Sequence, residues 1–79
     1  MIGSTECYRA VLIQQYVKKI QRKLGEKGVV VTEEMINEIG NIVRSNMTYC
    51  VQFGAVRYSF DEAKIEKEMN EKLGVSIHG

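Results

Sequence analysis

The chain has 79 residues, 44% hydrophobic and 27% charged, with 7 glycines, 2 cysteines and neither proline nor tryptophan. That composition excludes disordered, collagenous and disulfide-scaffold classes, and the length fits one compact domain over residues 1–79. The net charge of +1 hides an asymmetry: residues 1–29 carry six Lys and Arg against two Glu (+4), and residues 30–79 carry five against eight Asp and Glu (−3). A basic front half suits a phosphate or an acidic partner, or it complements the acidic back half. A domain this small buries only about 60% of the surface its unfolded chain exposes, so a second copy or a partner would add needed stability.

The first predicted element is a helix over 5–24. Val11, Leu12, Ile13, Tyr16, Val17, Ile20 and Leu24 recur at three- and four-residue spacings and share a broad face. Ser4 or Thr5 is placed to cap its start, Lys18, Lys19, Arg22 and Lys23 crowd its last turns, and Gly25 offers a left-handed stop. The β-branched run after Gly28, Val29-Val30-Val31, predicts a short strand. Thr32, followed by Glu33 and Glu34, caps a second helix over 33–46 with Met35, Ile36, Ile39, Ile42 and Val43 inward. Gly40 costs that helix about 1 kcal/mol relative to Ala, and a residue so small leaves room for another backbone to approach closely.

Residues 47–60 alternate apolar and polar, which predicts a β-hairpin. With Gly54-Ala55 as a type II′ turn, Phe53 faces Val56, Val51 faces Tyr58 and Tyr49 faces Phe60. All six then share one face and form a lid over the helices, while Cys50 is a small, half-buried residue of the other side. Ser59 and Glu62 have capping-box spacing and start a third helix over 60–73, with Ile65, Met69 and Leu73 inward and Ala63 beside them. Lys64–Glu68, Lys67–Glu71 and Glu68–Lys72 stand at i,i+4. Gly74 ends the helix, and Val75 to Ile77 predict a last short strand. The expected fold class is α+β: a long amphipathic N-terminal helix, two shorter helices and a small antiparallel sheet built on the 47–60 hairpin. Counting the two short strands, the order after the first helix is β-α-β-β-α-β. The alternative is an all-α three-helix bundle in which helix two continues through Tyr49 and Phe53.

Chemistry-bearing patterns are sparse. The sole histidine, His78, and Cys7 stand near opposite ends of the chain, which argues against a Cys–His nucleophile pair. Cys7, Cys50 and His78 lack paired metal-ligand spacing, and the glycines are scattered singly with no phosphate-cradling loop. No catalytic residue, metal or cofactor is implied. Phe53–Tyr58 has part of the aromatic spacing of an RNA-binding strand, but Val51-Gln52 and Ala55 stand where that strand has a basic residue, a glycine and an aromatic. The thiols fit a reducing compartment, and no leader-like or membrane-length apolar run is seen, so the reading is cytoplasmic.

The functional expectation is a small non-catalytic regulatory or adaptor protein acting through protein–protein contact as a homodimer. Its contact residues would be Tyr8, Leu12, Tyr16, Lys19, Arg22 and Lys23, because the first helix offers more apolar face than so small a core needs. The alternative is a nucleic-acid-binding module using Arg9, Lys18, Lys19, Arg22 and Lys23.

Overall fold

Helix α1 (Ser4–Glu26) forms because Ile13, Val17, Ile20 and Leu24 fall on one side of a 3.6-residue turn and are buried there. The computed structural model describes residues 4–76, with side chains from residue 8 onward. The helix passes through Gly25, and the left-handed stop is Gly28 (φ 83°). The Val29 N–H donates to the Leu24 carbonyl at 2.9 Å and the Gly28 N–H to the Gly25 carbonyl at 3.0 Å. This is a Schellman closure, with Val29 packed against the core that holds Leu24. That role leaves Val29–Val31 as a connecting segment rather than the predicted strand; Val29 and Val31 pack on the core, and Val30 points to solvent. Capping by Ser4 or Thr5 concerns side chains outside those described.

Helix α2 (Glu33–Ser45) starts as its sequence predicts: the Thr32 hydroxyl accepts the Met35 N–H at 3.2 Å. Ile39, Ile42 and Val43 are buried, with Ile36 packed beside them. Gly40, however, meets no backbone: a Cβ built there finds nothing within 4 Å. Among the described residues, none uses the room that this glycine leaves.

Strands β1 (Met47–Gln52) and β2 (Ala55–Phe60) pair antiparallel as the predicted hairpin, and β1-β2 is the whole sheet among the described residues. Its register differs by two residues from the predicted one: Tyr49 faces Tyr58, Val51 faces Val56, and Met47 faces Phe60. The turn residues are Phe53 (φ 52°) and Gly54 (φ 77°). Two successive positive φ values define a type I′ turn, whose twist matches that of the strands.

Helix α3 (Glu62–Leu73) is capped by Asp61, whose Oδ1 accepts the Lys64 N–H at 3.2 Å. Ser59 does not cap it, because Ser59 lies in β2 with its hydroxyl 3.0 Å from that of Thr48. Gly74, at φ 66°, ends the helix. Residues 74–76 form no strand; Ile77 and His78, and so any strand or Cys–His reading that needs them, lie outside the described residues.

The core joins α1, α2 and α3 through Ile13, Val17, Ile20, Leu24, Ile39, Ile42, Val43, Ile65 and Met69. Met47 and Phe60, at the base of the hairpin, pack against it. The fold is therefore α+β, with three helices and a two-stranded antiparallel hairpin. Asn46 sits at the junction and is buried. Its Nδ2 donates to the Ile42 carbonyl, one of the carbonyls a helix end leaves unpaired, and to Glu68 Oε2 on α3. Its own carbonyl accepts the Asp61 N–H at 3.0 Å.

The lid is incomplete for a geometric reason. Six extended residues span roughly 20 Å, whereas a helix with side chains is about 10 Å across. Only the base of the hairpin rests on the helices. The tip overhangs, in a molecule measuring 42 × 23 × 19 Å.

Candidate interaction surface

The hairpin base leans on the side of α1 that carries Tyr8, Leu12 and Tyr16. The Tyr16 and Phe60 rings are 4.5 Å apart, Tyr8 and Tyr58 5.9 Å, and Tyr49 and Tyr58 6.1 Å. Edge-tilted pairs at these separations add to the stability given by burial alone. Lys19 Nζ sits 5.9 Å from the Tyr16 ring centroid. Burial raises the Tyr16 phenol above its ordinary 10.0, and the charges of Glu62 and Glu66 push the same way. Of the contact residues expected from sequence, Tyr8, Leu12, Tyr16 and Lys19 therefore share the hairpin side, and much of the tyrosine stripe is used inside the protein. At 100° per residue, Arg22 falls roughly 40° from Tyr8 and stands exposed at the edge of that side, and Lys23 falls between Leu12 and Tyr16 and is half-buried.

Beyond the base, the same apolar face is open. Tyr49 is 70% exposed, Val51 64% and Phe53 102%, with Val56 exposed beside them and Tyr8 continuing the patch onto α1. These hairpin residues were expected to face inward. The signal that could have placed them outside was strand length: six-residue arms are longer than a helix is wide. The polar face carries Thr48, Gln52, Arg57 and Ser59, and Cys50, predicted half-buried, is an exposed free thiol.

Phe53 stands out energetically. A Cβ-bearing residue in the left-handed region costs about 1–2 kcal/mol, and Asn, Asp or Gly usually takes this turn position. Full exposure means that no contact inside the described protein offsets that cost.

A second surface lies between α1 and α2. These helices run antiparallel, with Arg44 near the end of α2 beside Ile13 and Arg9 towards the start of α1. Between them is an open groove of about 560 Å³. Ile13, Val17 and Ile36 form its floor with Gly40, and Lys18 and Arg44 stand along it. Its other lining residues bear carboxamides, and among the described residues no carboxylate lines it. The cations proposed for nucleic-acid contact are thus divided: Lys18 at this groove, Lys19 over Tyr16, Arg22 to solvent, and Arg9 against a hollow shared with Tyr49 and Tyr58.

Among the described residues, no three His, Cys, Asp or Glu side chains come together as a metal site, and no helix is long and apolar enough to cross a membrane. Compared with known proteins, the chain matches no family model, no curated protein and no solved structure.

Proposed function

We propose that this is a small, non-catalytic regulatory or adaptor protein that works by protein–protein contact, and that it self-associates as a homodimer through the open face of its hairpin. The observation that carries the reading is Phe53, a fully exposed aromatic held in strained backbone at the head of the Tyr49, Val51 and Val56 face. Strain with no internal compensation is a common mark of a binding residue. Three exposed aromatics, each covering about 150–250 Å² when buried, and two valines offer on the order of 500 Å². That is near the upper end of the apolar patches found on monomers. An isolated two-stranded hairpin is also marginal in water, and a second hairpin against its apolar face supplies the burial it lacks. The cytoplasm, where thiols stay reduced, suits the free Cys50.

Size exclusion with light scattering at micromolar concentration tests this. The expected mass is twice the 9.0 kDa of one chain. Phe53→Asn should return the monomer with the helical signal intact. A strict monomer for the parent chain removes the homodimer.

A nucleic-acid reading draws on one observation, the hollow that sets Arg9 beside Tyr49 and Tyr58. A salt-dependent gel shift weakened by Arg9→Glu and Tyr49→Ala would support it. Absence of any shift at low salt would end it.

A further inference from the structure

We propose that the α1–α2 groove receives an amphipathic helix with an acidic polar face from another protein. This site is separate from the hairpin face, and its test does not depend on self-association.

The shape argues for a helix. The groove floor is made of the Ile13, Val17 and the Ile36, Gly40 rows, which are i,i+4 ridges of two antiparallel helices. A third helix seats its side chains along such a channel, with anchors spaced three and four residues apart. Gly40 strengthens the case. A mid-helix glycine is unfavourable, and here no described atom lies within 4 Å of the place a Cβ would take. A gap at the centre of the floor lets an incoming backbone come close.

Charge selects the occupant. Lys18 and Arg44 line the groove, Arg9 continues its cationic edge in the adjoining hollow, and among the described residues no carboxylate lines either. A symmetric contact between two copies through this groove would set like charges against each other, which is costly. An acidic helix pairs with the cations and lays its apolar stripe on Ile13, Val17 and Ile36. Nucleic acid would satisfy the cations but leave that apolar floor unused, and no aromatic ring lines the groove for bases to stack on.

The test is fluorescence polarisation on the full chain with labelled synthetic peptides of about 18 residues, long enough to form a helix on binding. One has a leucine stripe at i, i+3, i+4, i+7 and glutamates elsewhere. The second has lysines in place of the glutamates, and the third scrambles the first to destroy the stripe. A single-stranded oligonucleotide of roughly 20 nucleotides is the fourth probe. The acidic amphipathic peptide should bind at least about tenfold more tightly than its lysine and scrambled counterparts, with affinity falling as salt rises. Gly40→Leu fills the groove in open space and removes a helix-breaking residue. It should raise the thermal midpoint while lowering peptide affinity about tenfold or more. The double variant Lys18→Glu, Arg44→Glu should reverse the preference in favour of the lysine peptide. Equal affinity for acidic and basic peptides, unchanged binding by a folded Gly40→Leu variant, or binding of the oligonucleotide in place of the acidic peptide would each overturn the proposal.

Discussion

Replacing Phe53 with Asn removes the most exposed large hydrophobic side chain of the hairpin, and it should make the monomer more stable. The backbone at Phe53, with φ 52°, costs a Cβ-bearing residue about 1–2 kcal/mol. Asn occupies the left-handed region with far less penalty because its short polar side chain bonds locally. On the other side of the ledger, Phe53 is 102% exposed, so its ring contributes almost no burial to the folded monomer. The net expectation is about 1 kcal/mol of stabilisation, or a rise in Tm of roughly 4–8 °C for a domain of this size. The measurement is thermal unfolding followed by circular dichroism, done well below the concentration at which the parent chain associates. Dilution matters because association would stabilise the parent and mask the gain. A variant that melts at or below the parent Tm under those conditions would show that Phe53 makes contacts that offset its strain, and the argument that it is held ready for a partner would fall.

Asn46→Ala strips the Ile42 carbonyl and Glu68 of a buried partner and should cost about 1–3 kcal/mol in chemical denaturation. The hydrogen bond from Asn46 is the chief cause that holds the Glu68 carboxyl below its ordinary 4.5, with Lys72 and Lys64 contributing. A depressed folded pKa gives stability that is present above 4.5 and lost as pH falls below it, so the acid-side loss should be shallower in Asn46→Ala than in the parent. Tyr16 is the opposite case. Its phenol is raised above 10.0 by burial and by Glu62 and Glu66, so the unfolded chain releases this proton first and stability falls as pH climbs past 10. Tyr16→Phe should flatten that alkaline decline, and an unchanged slope in urea titrations at high pH would refute the assignment. Ile65→Ala opens a void at a fully buried position between the helices and should cost about 2–5 kcal/mol, read as a lower urea midpoint.

The helices were legible because their apolar spacing is strong and their caps are local; Thr32 and Gly74 act where the sequence places them. The hairpin was legible for a related reason, since strict alternation fixes which residues share a face. Alternation does not distinguish registers that differ by two, because both keep every side chain on the same side. The turn had to settle the register, and Phe53 takes a position that local preference assigns to Asn or Gly, so the expected turn was displaced by one residue. Ser59 had the right spacing for a cap but is held in the β2 ladder beside Thr48, and Asp61 caps α3 instead. Val29–Val31 had strand propensity but no strand to pair with among the described residues, and the helix closure used Val29 first. The open hairpin face was hidden from sequence because the pattern reports sidedness, not how far a strand extends beyond its support. The α1–α2 groove was only hinted at: Gly40 left room for a close neighbour, and no described atom comes within 4 Å of the place a Cβ would take.

The two chain segments entering and leaving the hairpin are clamped side by side, because the Asp61 N–H donates to the Asn46 carbonyl. Everything between Thr48 and Ser59 is thus an excursion that returns to its point of departure. Evolution or an engineer can lengthen or trim it without moving the helices. Because sidedness repeats every second residue, the natural step is two residues per arm, roughly 7 Å of added or lost reach. Phe53 then sits on an arm of adjustable length, and partners at different depths become accessible to one unchanged helical body.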